Sequence, residues 1–294
     1  MNPLPDPVMQ HLVRVAGEPD LNGTPYELET EIGRGGMGVV YSAFDRRLQR
    51  SVALKVLYTG AAVLEEARVI ASLEHPGIVP VYETGELPDG RPYYSMRLVE
   101  GSSLDTHLGS SAPLSERLRV FQKICDTVAF AHSRGVVHRD LKPGNIMVGG
   151  FGEVVILDWG IAHRQESVER PGIVAGTPRY MAPEMLSGQG DQASHSVDIY
   201  SLGALLLSCL PANPPRALRA IAEKAMSSRP DDRYANCAAL NLEISRFLDG
   251  AAVEAHHESA AERLTRFAVR NRTLLLLLAA YLAVRVFLFF LRTA

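Results

Sequence analysis

The chain has 294 residues, 47% of them hydrophobic, so it can bury a substantial core in one large or two small domains and falls outside the disordered class. A formal net charge of −3 offers no basic footprint, so no nucleic-acid partner is expected. Three cysteines, Cys125, Cys209 and Cys237, are odd in number and far apart, which argues against a disulfide framework or a zinc site and predicts buried free thiols in a reducing compartment.

Met1 to Gly23 carries Pro3, Pro5, Pro7 and scattered charges without an apolar run, so residues 1–24 are expected as a flexible tail and not as a secretory signal. Tyr26 to Ile32, Val39 to Asp45 and Ser51 to Leu57 alternate or run apolar with β-branched residues, which predicts three strands. The first turn holds Gly33-Arg34-Gly35-Gly36-Met37-Gly38-Val39-Val40. Gly33, Gly35 and Gly38 have no side chain to keep backbone amides away from a phosphate; a plain structural turn is the alternative. Val52-Ala53-Leu54-Lys55 follows at hairpin spacing.

Val63 to Leu73 has helical spacing, with Val63, Ala67, Ile70 and Ala71 on one side and Glu65 and Glu66 on the first turns. Strands are expected over Pro76 to Glu83 and Tyr93 to Glu100, around the turn Leu87-Pro88-Asp89-Gly90. Ser115 to Arg134 is the clearest helix, with Ser115 as cap and Leu118, Phe121, Ile124, Val128 and Ala131 as its apolar stripe. His132, at its end, is expected as a packed or hydrogen-bonded core histidine.

Next comes His138-Arg139-Asp140-Leu141-Lys142-Pro143-Gly144-Asn145, then Asp158-Trp159-Gly160, then Ala182-Pro183-Glu184. Phosphoryl transfer leaves a protein little covalent work; it needs groups that hold magnesium, orient a hydroxyl and neutralise developing charge. Asp140 suits the hydroxyl, Asn145 and Asp158 offer hard oxygen ligands, and Lys142 can reach the moving phosphate. Each motif is weak alone; their order supplies the specificity.

With these motifs in this order, the stretch from about Tyr26 to about Leu248 resembles the eukaryotic-like, Hanks-type serine/threonine protein kinases, most closely those of bacteria. The resemblance implies an α+β fold of two lobes: a small antiparallel β-sheet lobe with one helix (25–100) and a larger, mostly helical lobe (101–248). It implies ATP and Mg2+ as cofactors and protein substrates as partners. By the same resemblance Asp140, Lys142, Lys55 and Glu66 are catalytic, with Glu65 the fallback partner for Lys55. Ile32, Gly33, Gly35, Gly38, Val40, Ala53, Lys55, Met96 and Asn145 contact the nucleotide, with Met96 as gatekeeper and Arg97 to Val99 as hinge. Asn145 and Asp158 hold the metal. His138 braces its loop, Asp198 accepts from that loop's backbone, and Glu184 pairs with Arg233. Arg139 is the residue that in the family meets a phosphorylated loop side chain; Ser167 and Thr177 are the only hydroxyl carriers between Trp159 and Tyr180, and modest or absent switching is expected. After the helix at Ser196 to Leu210 the segment that usually docks protein substrates is shortened.

Residues 249–272 form a linker, and Thr273 to Leu291 carries a single charge, Arg285, over a length close to the roughly 20 residues a membrane-spanning helix needs. Thirteen Leu, Val or Phe residues at about −0.3 to −0.6 kcal/mol each outweigh a central arginine at about 2.5 to 3.5 kcal/mol, so insertion is expected, as a tail anchor without an extracytoplasmic sensor domain. Arg263, Arg266, Arg270 and Arg272 precede the span and Arg292 follows it, which places the catalytic part on the cytoplasmic side of the inner membrane and allows contact with anionic lipid.

The expected function is transfer of the γ-phosphate of ATP to protein Ser/Thr hydroxyls, the chain's own included. A membrane-tethered pseudokinase that binds nucleotide or partners is the alternative, and a small-molecule phosphotransferase is disfavoured by Lys142 and Ala182-Pro183-Glu184. Substrate, activating signal and oligomeric state, a homodimer included, stay open.

Overall fold

The computed structural model describes residues 17–35, 38–58, 61–109, 112–159, 178–186 and 195–293, with backbone alone at 61–66 and 286–293. Strands β1 (Tyr26–Arg34), β2 (Gly38–Asp45) and β3 (Arg50–Leu57) form where the alternating segments predict them, each one or two residues longer. The β2–β3 turn is held by the Asp45 carboxylate, which accepts from the amides of Arg47 (2.9 Å) and Leu48 (3.2 Å). Helix α1 (Ala61–Ser72) follows.

Strand β4 (Val81–Glu86) corrects the expected range of Pro76 to Glu83, and β5 (Pro92–Arg97) ends short of Glu100. Pro76 and Pro80 have no amide to donate to a ladder, so the stretch between them folds as a turn. Its Ile78 amide donates to the His75 carbonyl (2.9 Å), and its Gly77 carbonyl accepts from Ile156 (2.8 Å). The five strands are antiparallel in the order β1-β2-β3-β5-β4.

A two-residue strand β6 (Ser102–Ser103) leads into α2 (Leu104–Leu108), capped by Ser103. Helix α3 (Leu114–Ser133) buries Leu118, Phe121, Ile124, Val128 and Ala131, the predicted stripe. Its cap position is taken by Pro113 and not Ser115. Proline's ring fixes φ near −65° and presets the entry, so Ser115 falls inside the first turn. Strands β7 (Ile146–Val148) and β8 (Val154–Ile156) make a small sheet with β6.

Then come α4 (Pro183–Leu186), α5 (Ser196–Cys209), α6 (Arg216–Ala225) and α7 (Cys237–Leu248), with only Leu210 to Pro215 between α5 and α6. Helix α5 is apolar on nearly every side and is buried throughout most of its length, as such a helix must be. Amphipathic α8 (Ala260–Arg270) and apolar α9 (Arg272–Thr293) close the chain. Among the residues whose side chains are described, which in α9 end at Arg285, no single helix is long and apolar enough to cross a membrane; Ala260–Arg270 and Arg272–Arg285, bent by 79°, meet that length and composition only as a pair.

The sheet separates two cores because its side chains alternate between faces. Tyr26, Tyr41, Val52, Leu54, Val56 and Tyr93 pack on one face. Ala53, Leu57, Tyr94 and Met96 lie on the other, in a core continuous with Ile70 of α1, Phe121 of α3, Trp159 and Leu202 of α5. All three cysteines are buried and free, as expected. Burial pushes the Cys209 thiol up to about 12 and raises those of Cys125 and Cys237 as well, so none is a reactive thiolate.

Candidate active site

The core-facing side of the sheet carries Lys55. In the register of β2, β3 and β5, Val40 lies opposite Lys55 and Ala53 opposite Met96, so all four share one face. Ala53, Lys55 and Met96 are buried, Val40 partly so, and Ile32 at the mouth is half exposed. The glycines sort into two kinds. A Cβ on Gly38 would sit 2.2 Å from the Val56 carbonyl oxygen, so Gly38 lets β2 lie against β3. Among the described residues nothing lies within 4 Å of such a Cβ on Gly33 or Gly35, so packing against those residues does not explain them. The side chain of Glu66 lies outside the described residues, as do Ser167 and Thr177.

The loop from His138 to Asn145 is anchored on Asp198, a fully buried carboxylate of α5. Its Oδ1 accepts from the Arg139 amide (2.8 Å), and its Oδ2 accepts from the His138 amide (2.8 Å) and His132 Nε2 (2.7 Å). Burial alone would raise this carboxyl, but the His132 bond and the charges around it hold it below the usual carboxylate range. His132 is thus the hydrogen-bonded core histidine expected, and its other nitrogen meets Cys237 Sγ at 3.5 Å. His138 donates from Nε2 to the Leu157 carbonyl (2.9 Å), accepts the Asp140 amide at Nδ1 (3.3 Å) and lies against buried Trp159. Its role is to brace the loop.

These bonds leave Asp140 at the surface of the cleft. Lys142 Nζ lies 2.7 Å and Asn145 Nδ2 3.0 Å from Asp140 Oδ2, and Asn145 Nδ2 also donates to the Asp140 carbonyl (2.8 Å). The β7–β8 pairing sets Ile146 opposite Ile156, and the Leu157 amide donates to the Asn145 carbonyl (2.8 Å). That register sets Asn145 opposite Leu157, one residue before Asp158. Asp158 sits at φ 51° and Arg139 at φ 68°, both left-handed, a conformation that costs a non-glycine residue about 1–3 kcal/mol and persists where surroundings over-determine it. Asp158 Oδ1 accepts from Lys55 Nζ at 2.8 Å. About half of the Asp158 side chain, 48%, stays exposed; partial loss of water would raise its carboxyl, but the Lys55 ammonium outweighs this and keeps the group below its ordinary value.

Below the cleft, Arg233 makes two hydrogen bonds to the Glu184 carboxylate (2.6 and 2.8 Å) and bonds the carbonyls of Ser196 (2.9 Å) and Ser227 (2.8 Å). Lys142 and Asn145 are thus brought onto Asp140, and Lys55 onto Asp158. The His132 contact with Cys237 and its stacking on His195 (4.1 Å) had no signal in the sequence, since nothing in local spacing relates residues so far apart.

The protein kinase domain model matches residues 26–256. The chain belongs to the protein kinase family. The kinase domain is similar to the serine/threonine-protein kinase PknD of Chlamydia trachomatis, at 38% identity over an alignment 299 positions long, gaps included, that covers 76% of this chain and 32% of that protein. It is also similar to PknD of Chlamydia caviae (35% identity; 77% of this chain, 31% of that protein) and of Chlamydia muridarum (43% identity; 65% and 25%). The chain thus spans about a third or less of the length of these relatives. Membership in the family implies use of ATP and a divalent metal. The donor set fits one: Asn145 commits its nitrogen to Asp140 and keeps Oδ1 as an acceptor, and Asp158 is held ionised. Among the described residues no group of three or more His, Cys, Asp or Glu forms a cage of the kind a structural metal takes.

Proposed function

We propose that this kinase domain transfers the γ-phosphate of ATP to serine or threonine hydroxyls of proteins, its own included. The observation that carries the reading is Asp140 Oδ2, which lies within 3.0 Å of both Lys142 Nζ and Asn145 Nδ2 on a loop pinned by Asp198. Asp140 orients the substrate hydroxyl and accepts its proton; Lys142, beside it, offsets charge on the phosphoryl oxygens in flight. Lys55 supports the nucleotide phosphates, and Ala53, Val40, Met96 and Ile32 line the adenine site. Asn145 Oδ1 and Asp158 would hold Mg2+, which supplies positive charge to the phosphate oxygens when bound.

The test is radiolabel transfer from Mg-ATP with Asp140→Asn as control. Loss of about 10²–10⁴ in rate with ATP binding retained supports the reading. Equal transfer by the variant would sink it, and no transfer by either protein would favour a domain that binds nucleotide or partners without turnover.

We further infer that α9 spans the inner membrane with the kinase domain cytoplasmic. Twenty-two residues at 1.5 Å rise reach about 33 Å, close to the hydrocarbon thickness, and four arginines precede the apolar stretch. The short Leu210–Pro215 link between α5 and α6 supports a reduced docking surface for protein substrates.

A further inference from the structure

Helix α8 divides into two faces. One is tied to the kinase body: Ser259 and Glu262 cap its start reciprocally (3.3 and 2.8 Å), Arg266 grips Glu258 (2.8 Å), and Glu262 faces His256 (3.4 Å) and Arg216 of α6 (3.6 Å). Thr265, Arg266, Val269 (itself 67% exposed) and, at the margin, Arg270 line an open cleft of about 630 Å³ whose far wall is Leu248 to Gly250 at the end of α7. The other face carries Ala260, Leu264 and Phe267, spaced to lie together on one side of the helix. Leu264 is 69% and Phe267 57% exposed. Arg263, Arg270 and Arg272 make no ion pair among the described residues, and residues 260–272 carry four arginines against one glutamate. Immediately beyond, the axis turns by 79° into α9, whose Leu274 to Leu278 are exposed.

A helix nearly perpendicular to a membrane-spanning one lies in the membrane plane. Exposed Leu and Phe on one side, with arginines along the margin, is the pattern of a helix seated at the boundary between headgroups and acyl chains. We propose that α8 lies flat on an anionic lipid bilayer, with Leu264 and Phe267 among the acyl chains and Arg263, Arg270 and Arg272 at lipid phosphates, and so sets the orientation of the kinase domain above the surface. The positive margin matches the negative cytoplasmic leaflet, and the apolar face is continuous with α9. This rests on the reading that α9 enters the bilayer.

The experiment places a spin label at Leu264→Cys, Thr265→Cys, Phe267→Cys or Leu277→Cys, one at a time, in the full chain reconstituted in phosphatidylcholine–phosphatidylglycerol vesicles. The native thiols are buried and protonated, so the introduced cysteine is the one that reacts. Labels at 264, 267 and 277 are expected to be accessible to lipid-phase oxygen and shielded from an aqueous nickel chelate, with the label at 265 the reverse. Omitting phosphatidylglycerol is expected to return 264 and 267 to water and leave 277 in lipid. Should 264 and 267 stay aqueous while 277 is immersed, α9 inserts but the surface placement of α8 is overturned. An aqueous 277 overturns the membrane reading itself. Spin–spin broadening between chains at 264 would assign the apolar face to a second copy instead.

Discussion

Lys55 Nζ and Asp158 Oδ1 meet at 2.8 Å across 103 positions of sequence, joining the third strand of the sheet to the loop that follows β8. The contact ties the sheet to that loop across the cleft, and the Lys55 ammonium keeps the Asp158 carboxylate ionised. Lys55→Met is expected to lower kcat/KM for ATP by about 10²–10³-fold, the loss typical when a preorganised electrostatic donor is removed. Steady-state transfer against ATP concentration reads it; an unchanged kcat/KM would separate Lys55 from the nucleotide.

The two kinds of glycine in the first hairpin respond differently to a methyl group. Gly38→Ala drives a Cβ into the Val56 carbonyl, a backbone atom that cannot step aside, and is expected to cost about 1–3 kcal/mol in urea unfolding. Gly33→Ala and Gly35→Ala meet open space and are expected to change stability by less than about 0.5 kcal/mol while raising the KM for ATP. A Gly35→Ala protein with an unaltered KM would make that glycine a plain turn residue.

Arg233, buried, and Glu184, largely so, form a two-pronged pair, and removing one partner strands the other's charge. Burial tends to raise the Glu184 carboxyl, but Arg233 holds it below its usual value. Arg233→Met is expected to destabilise by about 3–5 kcal/mol, and Arg233→Met with Glu184→Met by less than the sum of the singles. Additive losses in the double-mutant cycle would mean the pair is not energetically coupled.

His195 stacks on His132 with ring centroids 4.1 Å apart. Loss of water from the ring face stacked on His132, then the His132 charge, lowers the His195 pKa although the residue as a whole is exposed, with buried Asp198 opposing. The unfolded chain therefore binds more protons than the folded one below the ordinary histidine value, and stability falls as pH drops. Urea midpoints are expected to decline from about pH 7 toward pH 5. His195→Asn is expected to flatten that decline; an identical slope would place the titration elsewhere, with His75, lowered by its own burial, the next group to replace.

Much of the fold was legible because it is local. Alternation located β1 to β3, and a repeating apolar stripe located α3 within a residue or so of its start. The misread strand, Pro76 to Glu83, failed for a local reason, the two prolines, and for a long-range one: Gly77 and Ile78 bond to Ile156 of β8, a partner that no window around Pro76 contains. The misread cap failed for a short-range one, since Pro113 supplies an extended backbone before Ser115 can act.

By itself the sequence determined the chemistry: which residues can accept a proton, ligate a hard cation or clear a path for phosphate is a property of side-chain type and order. Only the tertiary structure decided what holds those groups in place. Asp198 beneath the loop, His132 between Asp198 and Cys237, and Arg233 on Glu184 are contacts between residues 49 to 105 positions apart. Such pairs form because burying a polar group without a partner costs more than the chain can spare, and which partner satisfies it is settled by how the helices pack.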